Sequence, residues 1–145
     1  MKIVLATDHA GFELKEQIKD KLIQQKHEIK DFGSFTYDSL DDYPDFIFPA
    51  AEFVSENLDY LGIILGGSGQ GEAMAANRIK GVRAAVYYNG PLEIVKLSRQ
   101  HNNANILSLG ARFVDLDKAI EIIQLWLNTN FEGDRHQRRI DKLDR

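Results

Sequence analysis

The sequence predicts an α/β protein in which a parallel sheet is covered by helices on both faces. Short apolar segments alternate with longer amphipathic segments along the whole chain, as strands alternate with helices in this class. The first apolar segment, KIVLAT at 2–7, shows no polar alternation after its lysine, which is typical of a strand buried on both faces. No repeat, linker or low-complexity segment interrupts the pattern, so we expect one domain over residues 1–145.

The first half of the chain continues with two helices and a second strand. Apolar residues at helical spacing predict a helix over 12–25. A short strand is predicted over 27–32, and a polar loop follows it over 33–43. The next helix is predicted over 44–57, because Pro44 suits the first position of a helix.

The second half of the chain contributes three further strands and four helices. The predicted strands cover 61–65, 82–87 and 105–110. The predicted helices cover 72–78, 91–101, 115–129 and part of the charged tail over 133–145. This alternation indicates a three-layer α/β/α sandwich with a five-stranded parallel, Rossmann-like sheet and a C-terminal helical tail.

Composition excludes several classes of function. The net charge is −4 and no long basic run occurs, which argues against nucleic acid or an anionic membrane as the main partner. The chain has no cysteine, so disulfides, thiolate catalysis and cysteine-ligated zinc are excluded. The N-terminal apolar run is too short for a signal peptide, and no segment is long enough to span a membrane. We therefore expect a cytoplasmic protein.

The segment GGSGQGEAMAANR at 66–78 is a glycine-rich loop that opens a predicted helix. A phosphate-binding P-loop would continue with lysine and a hydroxyl residue, but Glu72 and Ala73 stand there. The dinucleotide fingerprint has a different glycine spacing and follows the first strand, not the third. A hydrolase elbow would need glycine where Gln70 stands. The loop therefore belongs to none of these three kinds of site.

The remaining interpretation of this loop is a nest of backbone N–H groups beside a carboxylate. Glycines allow several N–H groups to converge on an oxyanion, and a helix N-terminus adds partial positive charge. Glu72 beside such a nest has the arrangement that proton abstraction next to a carbonyl group requires. The equally weighted alternative is that Glu72 only caps its own helix.

Other polar residues follow the predicted strands or end the predicted helices. Asp8 and His9 follow the first strand, where they either contact a polar ligand or cap the next helix. His101 ends a helix in the polar segment RQHNNAN, where a favourable contact with the helix dipole is the simpler interpretation. A metal site built from Asp8, His9 and His101 lacks a ligand-spacing signature, and we predict no metal.

Three arginines are candidate phosphate ligands. Arg112 follows the fifth predicted strand, and the tail contains Arg135 and Arg139, which share one face if the tail is helical. Guanidinium groups bind phosphate well, although a solvated charged tail is the simpler alternative.

Taken together, the segments TDHAGFELK, GGSGQGEAMAANR, GVRAA, LSRQHNNANILSLGAR and FEGDRHQRRI resemble the type B ribose-5-phosphate isomerase family, in unbroken order from residue 2 to about 140. The family includes galactose-6-phosphate isomerase subunits. In one of its branches the catalytic base is a cysteine just before the glycine loop, where this chain has Gly66. The other branch uses a glutamate at the end of the loop, which matches Glu72.

The resemblance implies an isomerase that interconverts ribose 5-phosphate and ribulose 5-phosphate through an enediolate, in the non-oxidative pentose phosphate pathway. It implies no cofactor and no metal, and a homodimer or tetramer whose sites are shared between subunits. It assigns the base to Glu72 and ring opening to His101 aided by Asp8. The substrate contacts that it implies are Asp8, His9, Gly67, Ser68, Gly69, Gln70, Gly71, Asn102, Arg112, Arg135 and Arg139.

Two alternatives remain at the level of the sequence. The chain could isomerise another sugar phosphate, such as galactose 6-phosphate, allose 6-phosphate or a tetrose phosphate, and loop 33–43 and the region of Asn102 would set the room for it. The chain could instead be a sugar-phosphate-binding subunit without activity.

Overall fold

The computed structural model describes residues 1–145 and contains five parallel β-strands. The strands are β1 (Lys2–Thr7), β2 (Glu28–Asp31), β3 (Tyr60–Gly66), β4 (Ala84–Tyr87) and β5 (Ile106–Gly110). They form one sheet in the order β2-β1-β3-β5-β4, and every neighbouring pair is parallel. The prediction of a five-stranded parallel sheet is confirmed.

Six α-helices connect or follow the strands. They are α1 (Phe12–Gln24), α2 (Pro44–Glu56), α3 (Gln70–Ala76), α4 (Glu93–Gln100), α5 (Leu116–Leu127) and α6 (Arg135–Ile140). A short 3-10 helix over His9–Gly11, which the sequence analysis did not predict, precedes α1. None of the helices combines the length and the apolar character needed to cross a membrane.

Two hydrophobic clusters cover the two faces of the sheet. Successive side chains of a strand point to opposite faces, so Ile3 and Leu5 join one cluster while Val4 and Ala6 join the other. The first cluster contains the buried faces of α1, α4 and α5, and the second contains those of α2 and α3. The three-layer arrangement predicted from the sequence is therefore the observed one.

Two predicted elements have different bounds for identifiable reasons. The strand predicted over 82–87 begins only at Ala84, because the backbone N–H of Arg83 donates to the side chain of Asn105 at 2.7 Å and not to a strand. Helix α3 begins at Gln70, ends at Ala76, and is followed by Asn77. The Asn77 side chain pairs with the backbone of Ala84 at 2.7 and 2.9 Å, which directs the chain into β4.

The strand order fixes where a ligand can bind. From β1 the chain moves outward to β2 and then returns to β3 on the other side of β1. Such a switch point opens a crevice beyond the carboxyl ends of the two strands. In this chain Asp8 and His9 follow β1, and the glycine loop follows β3. Both candidate segments therefore lie at the mouth of that crevice.

Candidate active site

The glycine loop at the end of β3 is tied to the neighbouring strand through its carbonyl groups. The carbonyl oxygens of Gly66 and Gly67 accept from the backbone N–H groups that follow β5, at 2.8 and 3.1 Å. The Ser108 hydroxyl donates to the carbonyl of Gly69 at 2.6 Å. Gly69 adopts a φ of +80°, a conformation that glycine takes without strain.

The N–H groups of the same loop are left free. The backbone N–H groups of Gly67, Ser68 and Gly69 donate no hydrogen bond within the chain. The N–H of Gln70 donates to the Ser68 hydroxyl at 3.4 Å, and those of Gly71 and Glu72 belong to the first turn of α3, where a helix has no internal acceptor for them. Free donors at the start of a helix form a site for an oxyanion.

Glu72 lies buried beside these free donors. Only 5% of its surface is exposed, and its carboxyl group packs against the backbone of Gly66. Burial raises the pKa of the Glu72 carboxyl, its own backbone N–H opposes this, and the negative charge of Asp8 raises the pKa further. The net direction is upward, so burial outweighs the hydrogen bond from the Glu72 backbone N–H. A carboxylate with a raised pKa is a better proton acceptor.

Asp8 serves as a helix cap and also faces the site. One of its carboxylate oxygens accepts from the backbone N–H of Ala10 at 2.9 Å, which caps the 3-10 helix. The residue is 7% exposed, and its charge acts on Glu72. Asp8 therefore caps the 3-10 helix and also lies close enough to Glu72 to raise its pKa.

His9 and Arg112 line one open cavity of about 430 Å³ at the same edge of the sheet. Ala10, Glu13 and Tyr37 complete its lining. The Arg112 guanidinium packs on the backbone of Gly67, with carbon and nitrogen atoms about 3.0 Å from where a Cβ would lie. One imidazole and one guanidinium are thus placed next to the glycine loop.

Two residues of the polar loop, which the sequence analysis did not single out, belong to this edge. Asp41 accepts from His9 through one carboxylate oxygen, at 2.6 Å from Nδ1 and 3.0 Å from the backbone nitrogen. The Tyr43 ring lies 2.8 Å from where a Cβ on Gly71 would lie. The only sequence signal was their position before Pro44, where residues that shape a helix start are common.

His101 and Asn102 lie at the opposite edge of the sheet. Helix α4 runs antiparallel to the strands, as crossover helices do, so its end returns to the amino end of β5. The backbone carbonyls of Asn102 and Asn103 accept from Arg83 Nε at 3.0 Å, next to the start of β4. His101 and Asn102 therefore stand beside the first residues of β4 and β5.

The tail joins His101 at that opposite edge. The N–H of Glu132 donates to the carbonyl of Gln100 at 3.0 Å, and the ring of His136 stacks on that of His101 with centroids 4.3 Å apart. Burial and the charge of Arg135 lower the pKa of His136. Arg135 and Arg139 stand on either side of His136 along the exposed part of α6.

The candidate residues of one chain thus form two groups. Five-residue β5 separates the two edges by roughly 15 Å at about 3.3 Å per residue. No hydrogen bond, ion pair or ring contact joins the groups within the chain. The carboxyl-edge group is Asp8, His9, Gly67, Ser68, Gly69, Gln70, Gly71, Glu72 and Arg112; the amino-edge group is His101, Asn102, Arg135 and Arg139.

Two clusters bring potential metal ligands within 4.8 Å of one another. In the first, Asp8, His9 and Asp41, the 2.6 Å contact between His9 and Asp41 is a hydrogen bond whose proton occupies the space an ion would need. In the second, His101, Glu132 and His136, the two rings are nearly parallel, at 13°. The lone pairs of parallel rings do not converge on one ion, so neither cluster is preformed for a metal.

The fold and this edge define a class of protein: a small α/β protein with an oxyanion site beside a buried carboxylate at the switch point of its sheet. The chain belongs to the ribose/galactose isomerase family, whose model matches residues 3–143.

Relatives in this family are similar over nearly their full length. The ribose-5-phosphate isomerase B of Mycolicibacterium paratuberculosis is 44% identical over 144 residues, which cover 99% of this chain and 89% of that protein. The crystal structure of the Mycoplasma genitalium ribose-5-phosphate isomerase B with bound ribulose-5-phosphate has a TM-score of 0.92 and 45% identity, covering 98% of this chain and 93% of the other. The crystal structure of the Thermotoga maritima ribose 5-phosphate isomerase has a TM-score of 0.92 and 42% sequence identity, and the match covers 99% of this chain and 97% of the other.

Proposed function

We propose that the chain is an aldose–ketose isomerase that interconverts ribose 5-phosphate and ribulose 5-phosphate through an enediolate. The observation that carries this proposal is the buried Glu72 carboxyl beside a row of unpartnered backbone N–H groups. The relatives named above support the choice of substrate. Since such pentose phosphates are metabolites of the non-oxidative pentose phosphate pathway, we place the reaction there, in the cytoplasm.

Glu72 is the base in the proposed mechanism. It takes the proton from C2 of the open-chain aldose, and the free N–H groups and Ser68 stabilise the negative charge that develops on the oxygen at C1. Glu72 then returns the proton to C1 while the hydroxyl proton on the oxygen at C2 passes to the oxygen at C1, which gives the ketose. Gln70 and the glycines of the loop bind the sugar oxygens. No cofactor or metal takes part in these steps.

His101 opens the furanose ring in the same mechanism, with Asp8 as its partner. The two residues move a proton between the anomeric hydroxyl and the ring oxygen, and Asn102 contacts the sugar oxygens. Arg112, His9, Arg135 and Arg139 bind the phosphate. Because the two groups lie at opposite edges of one chain, this mechanism requires a second copy to supply the amino-edge residues.

A homodimer with shared sites, alone or within a tetramer, is therefore part of the proposal. Strand β4 is an edge strand, and Tyr88 and Met74 beside it are 43% and 64% exposed. They line a shallow cavity of about 630 Å³ that also includes Gln70 of the glycine loop. An apolar surface next to the carboxyl-edge group favours a second copy as its partner.

Glu72→Gln tests the proposal directly. We expect the purified variant to lose roughly 10²–10⁴-fold in kcat for ribose 5-phosphate and to retain inhibition by inorganic phosphate. In D₂O the wild type should incorporate deuterium into the product, and the variant should not. Glu52→Gln on the exposed face of α2 is the matched control. Substantial activity of Glu72→Gln would exclude Glu72 as the base, and absence of exchange in the wild type with every sugar phosphate would favour a noncatalytic binding subunit.

A second candidate substrate follows from the family, whose description includes galactose isomerases. The test is a panel of galactose 6-phosphate, allose 6-phosphate and a tetrose phosphate against ribose 5-phosphate. A higher kcat/KM for a hexose phosphate than for ribose 5-phosphate would replace the proposed substrate while leaving the role of Glu72 intact.

A further inference from the structure

Asp41 binds His9 through two hydrogen bonds to a single carboxylate oxygen. His9 Nδ1 lies 2.6 Å from Asp41 Oδ1, and the His9 backbone N–H donates to the same oxygen at 3.0 Å. A carboxylate can only accept, so the proton of the first bond belongs to Nδ1. The side chain of Asp41 is 9% exposed, which protects this bond from competing water.

The other ring nitrogen of His9 is left for a ligand. His9 Nε2 makes no hydrogen bond within the chain, and the ring borders the cavity of about 430 Å³ that Arg112 also lines. The ring edge packs against Tyr37 with centroids 6.1 Å apart. With Nδ1 occupied by Asp41, Nε2 is the nitrogen free to interact with a ligand, as an acceptor in the neutral ring and as a donor in the cationic ring.

The loop that carries Asp41 is anchored on both sides. At its start, the fully buried Lys15 donates to the carbonyl of Ser34 at 2.7 Å, and the N–H of Ser34 donates to Thr7 at 2.7 Å. Close to Asp41, its own N–H donates to the carbonyl of Asp38 at 3.1 Å. The six residues between, 35–40, are exposed, so the contacts that hold Asp41 are the bonds of Ser34, the turn to Asp38 and the two bonds to His9.

The charges around His9 favour its cationic form. Asp41 and Asp8 are negative, Glu13 lines the same cavity, and Arg112 alone opposes them; Tyr37 is the remaining titratable neighbour. The hydrogen bond to Asp41 is the largest cause that raises the pKa of the His9 imidazole, and burial is the largest that lowers it.

We propose that Asp41 is a positioning residue that holds the His9 ring so that its Nε2, beside Arg112, donates to the substrate phosphate. This inference rests on the proposed function only in naming the ligand as substrate phosphate. The binding of an inorganic phosphate dianion at His9 and Arg112 does not depend on it, because an imidazole with an unpartnered nitrogen and a guanidinium line one cavity.

Asp41→Asn tests this role, since asparagine keeps the shape and the acceptor oxygen but removes the charge. We compare the inhibition constant for inorganic phosphate, and KM for ribose 5-phosphate, between variant and wild type from pH 5.5 to 8.5. The ratio of each constant in the variant to that in the wild type cancels the titration of phosphate itself. At pH 5.5, below the ordinary pKa of histidine of about 6.5, the charge of Asp41 matters least for the protonation of His9, so the ratio should be closest to one.

At pH 8 the variant should bind phosphate about tenfold more weakly than the wild type, and KM should rise more than kcat falls. Asp42→Asn, at the exposed neighbouring position, is the matched control and should give a ratio of one throughout. In wild-type protein the ¹⁵N shifts of His9 should show a protonated Nδ1. A ratio of one at every pH, or a loss confined to kcat, would overturn the proposal. The same phosphate titration in a protein without isomerase activity would instead overturn the proposed function.

Discussion

The carboxyl group of Glu72 occupies the space that a Cβ atom on Gly66 would need. The resemblance implies that the branch with a cysteine base carries that base at position 66. A base projecting from the end of β3 and a base returning from the first turn of α3 would therefore reach the same space. Because each excludes the other sterically, glycine at position 66 is a requirement of the glutamate arrangement.

Gly66→Ala should therefore reduce kcat strongly. The added methyl group overlaps the carboxyl carbon and both carboxylate oxygens of Glu72, and displacing a reacting group by about 1 Å can cost roughly 10²-fold. We expect a loss of that order in kcat, with inhibition by inorganic phosphate changed by less than about threefold. Steady-state kinetics with ribose 5-phosphate measures both.

Gly62→Ala is the matched control on the same strand. A Cβ at Gly62 would meet flexible side-chain atoms of Ile106 and Val54 at 3.0 and 3.3 Å, in the core rather than at the site. This variant should lose stability and keep its kcat. Equal kcat losses in the two variants would show that Gly66 matters only for packing.

Glu72→Gln should raise stability at neutral pH while abolishing turnover. The folded-state pKa of Glu72 is raised by burial above its ordinary value of 4.5, so the folded state binds more protons than the unfolded state above about that pH. The ionised side chain therefore costs stability as pH rises, and no cost remains below the unfolded pKa. We expect the Tm of the variant to exceed that of the wild type at pH 8, and the gain to vanish near pH 4. A Tm gain that is the same at both pH values would contradict this assignment.

The carboxyl-edge group was predictable because it depends on local patterns. Apolar runs place Asp8 and the glycine loop at strand ends, and parallel strands bring those ends together. The separation of His101 from Glu72 also follows from topology, since a helix after a parallel strand returns to the other edge of the sheet. The assignment of His101 to the same site as Glu72 came only from the resemblance, which implied sites shared between subunits.

Asp41 and Tyr43 were not predictable in the same way. They lie in a loop without periodicity, and Asp41 reaches His9 across 32 residues of sequence. Lys15, whose side chain is fully buried, bonds the Ser34 carbonyl at the start of this loop. Lys15 shares one helical stripe with Ile18 and Leu22, and a lysine on an apolar stripe was the available signal that a buried acceptor lay opposite.

Lys15→Met should destabilise the protein far more than Lys19→Met. Lys15 bonds to both oxygens of Asp31, at 2.7 and 2.9 Å, and to the Ser34 carbonyl. Its removal leaves a half-buried carboxylate and a carbonyl without this partner, at a cost of about 3 kcal/mol. Lys19 bonds to the same Asp31, but it is 25% exposed, and its loss should cost less than about 1 kcal/mol. Urea unfolding at one protein concentration measures both, and comparable losses would refute the central role of Lys15.

Mixed dimers of two inactive variants test whether the sites are shared. In a dimer of Glu72→Gln with His101→Ala, one site combines both defects, and the other combines an intact Glu72 with an intact His101 from the partner. Random exchange at equal concentrations makes half of the dimers mixed, so roughly a quarter of wild-type activity should return in a two-fold symmetric dimer.

The control for this experiment is His101→Ala mixed with a second variant of the same group, Arg139→Ala. Both defects then lie at the amino edge of their chains. A mixed dimer of this pair has one defect in each of its two sites, so no intact site forms and activity should not return. Recovery with Glu72→Gln but not with Arg139→Ala requires each site to draw its base and its ring-opening group from different chains. Absence of recovery in the first pair, with subunit exchange verified by mass spectrometry, would mean that one chain supplies both.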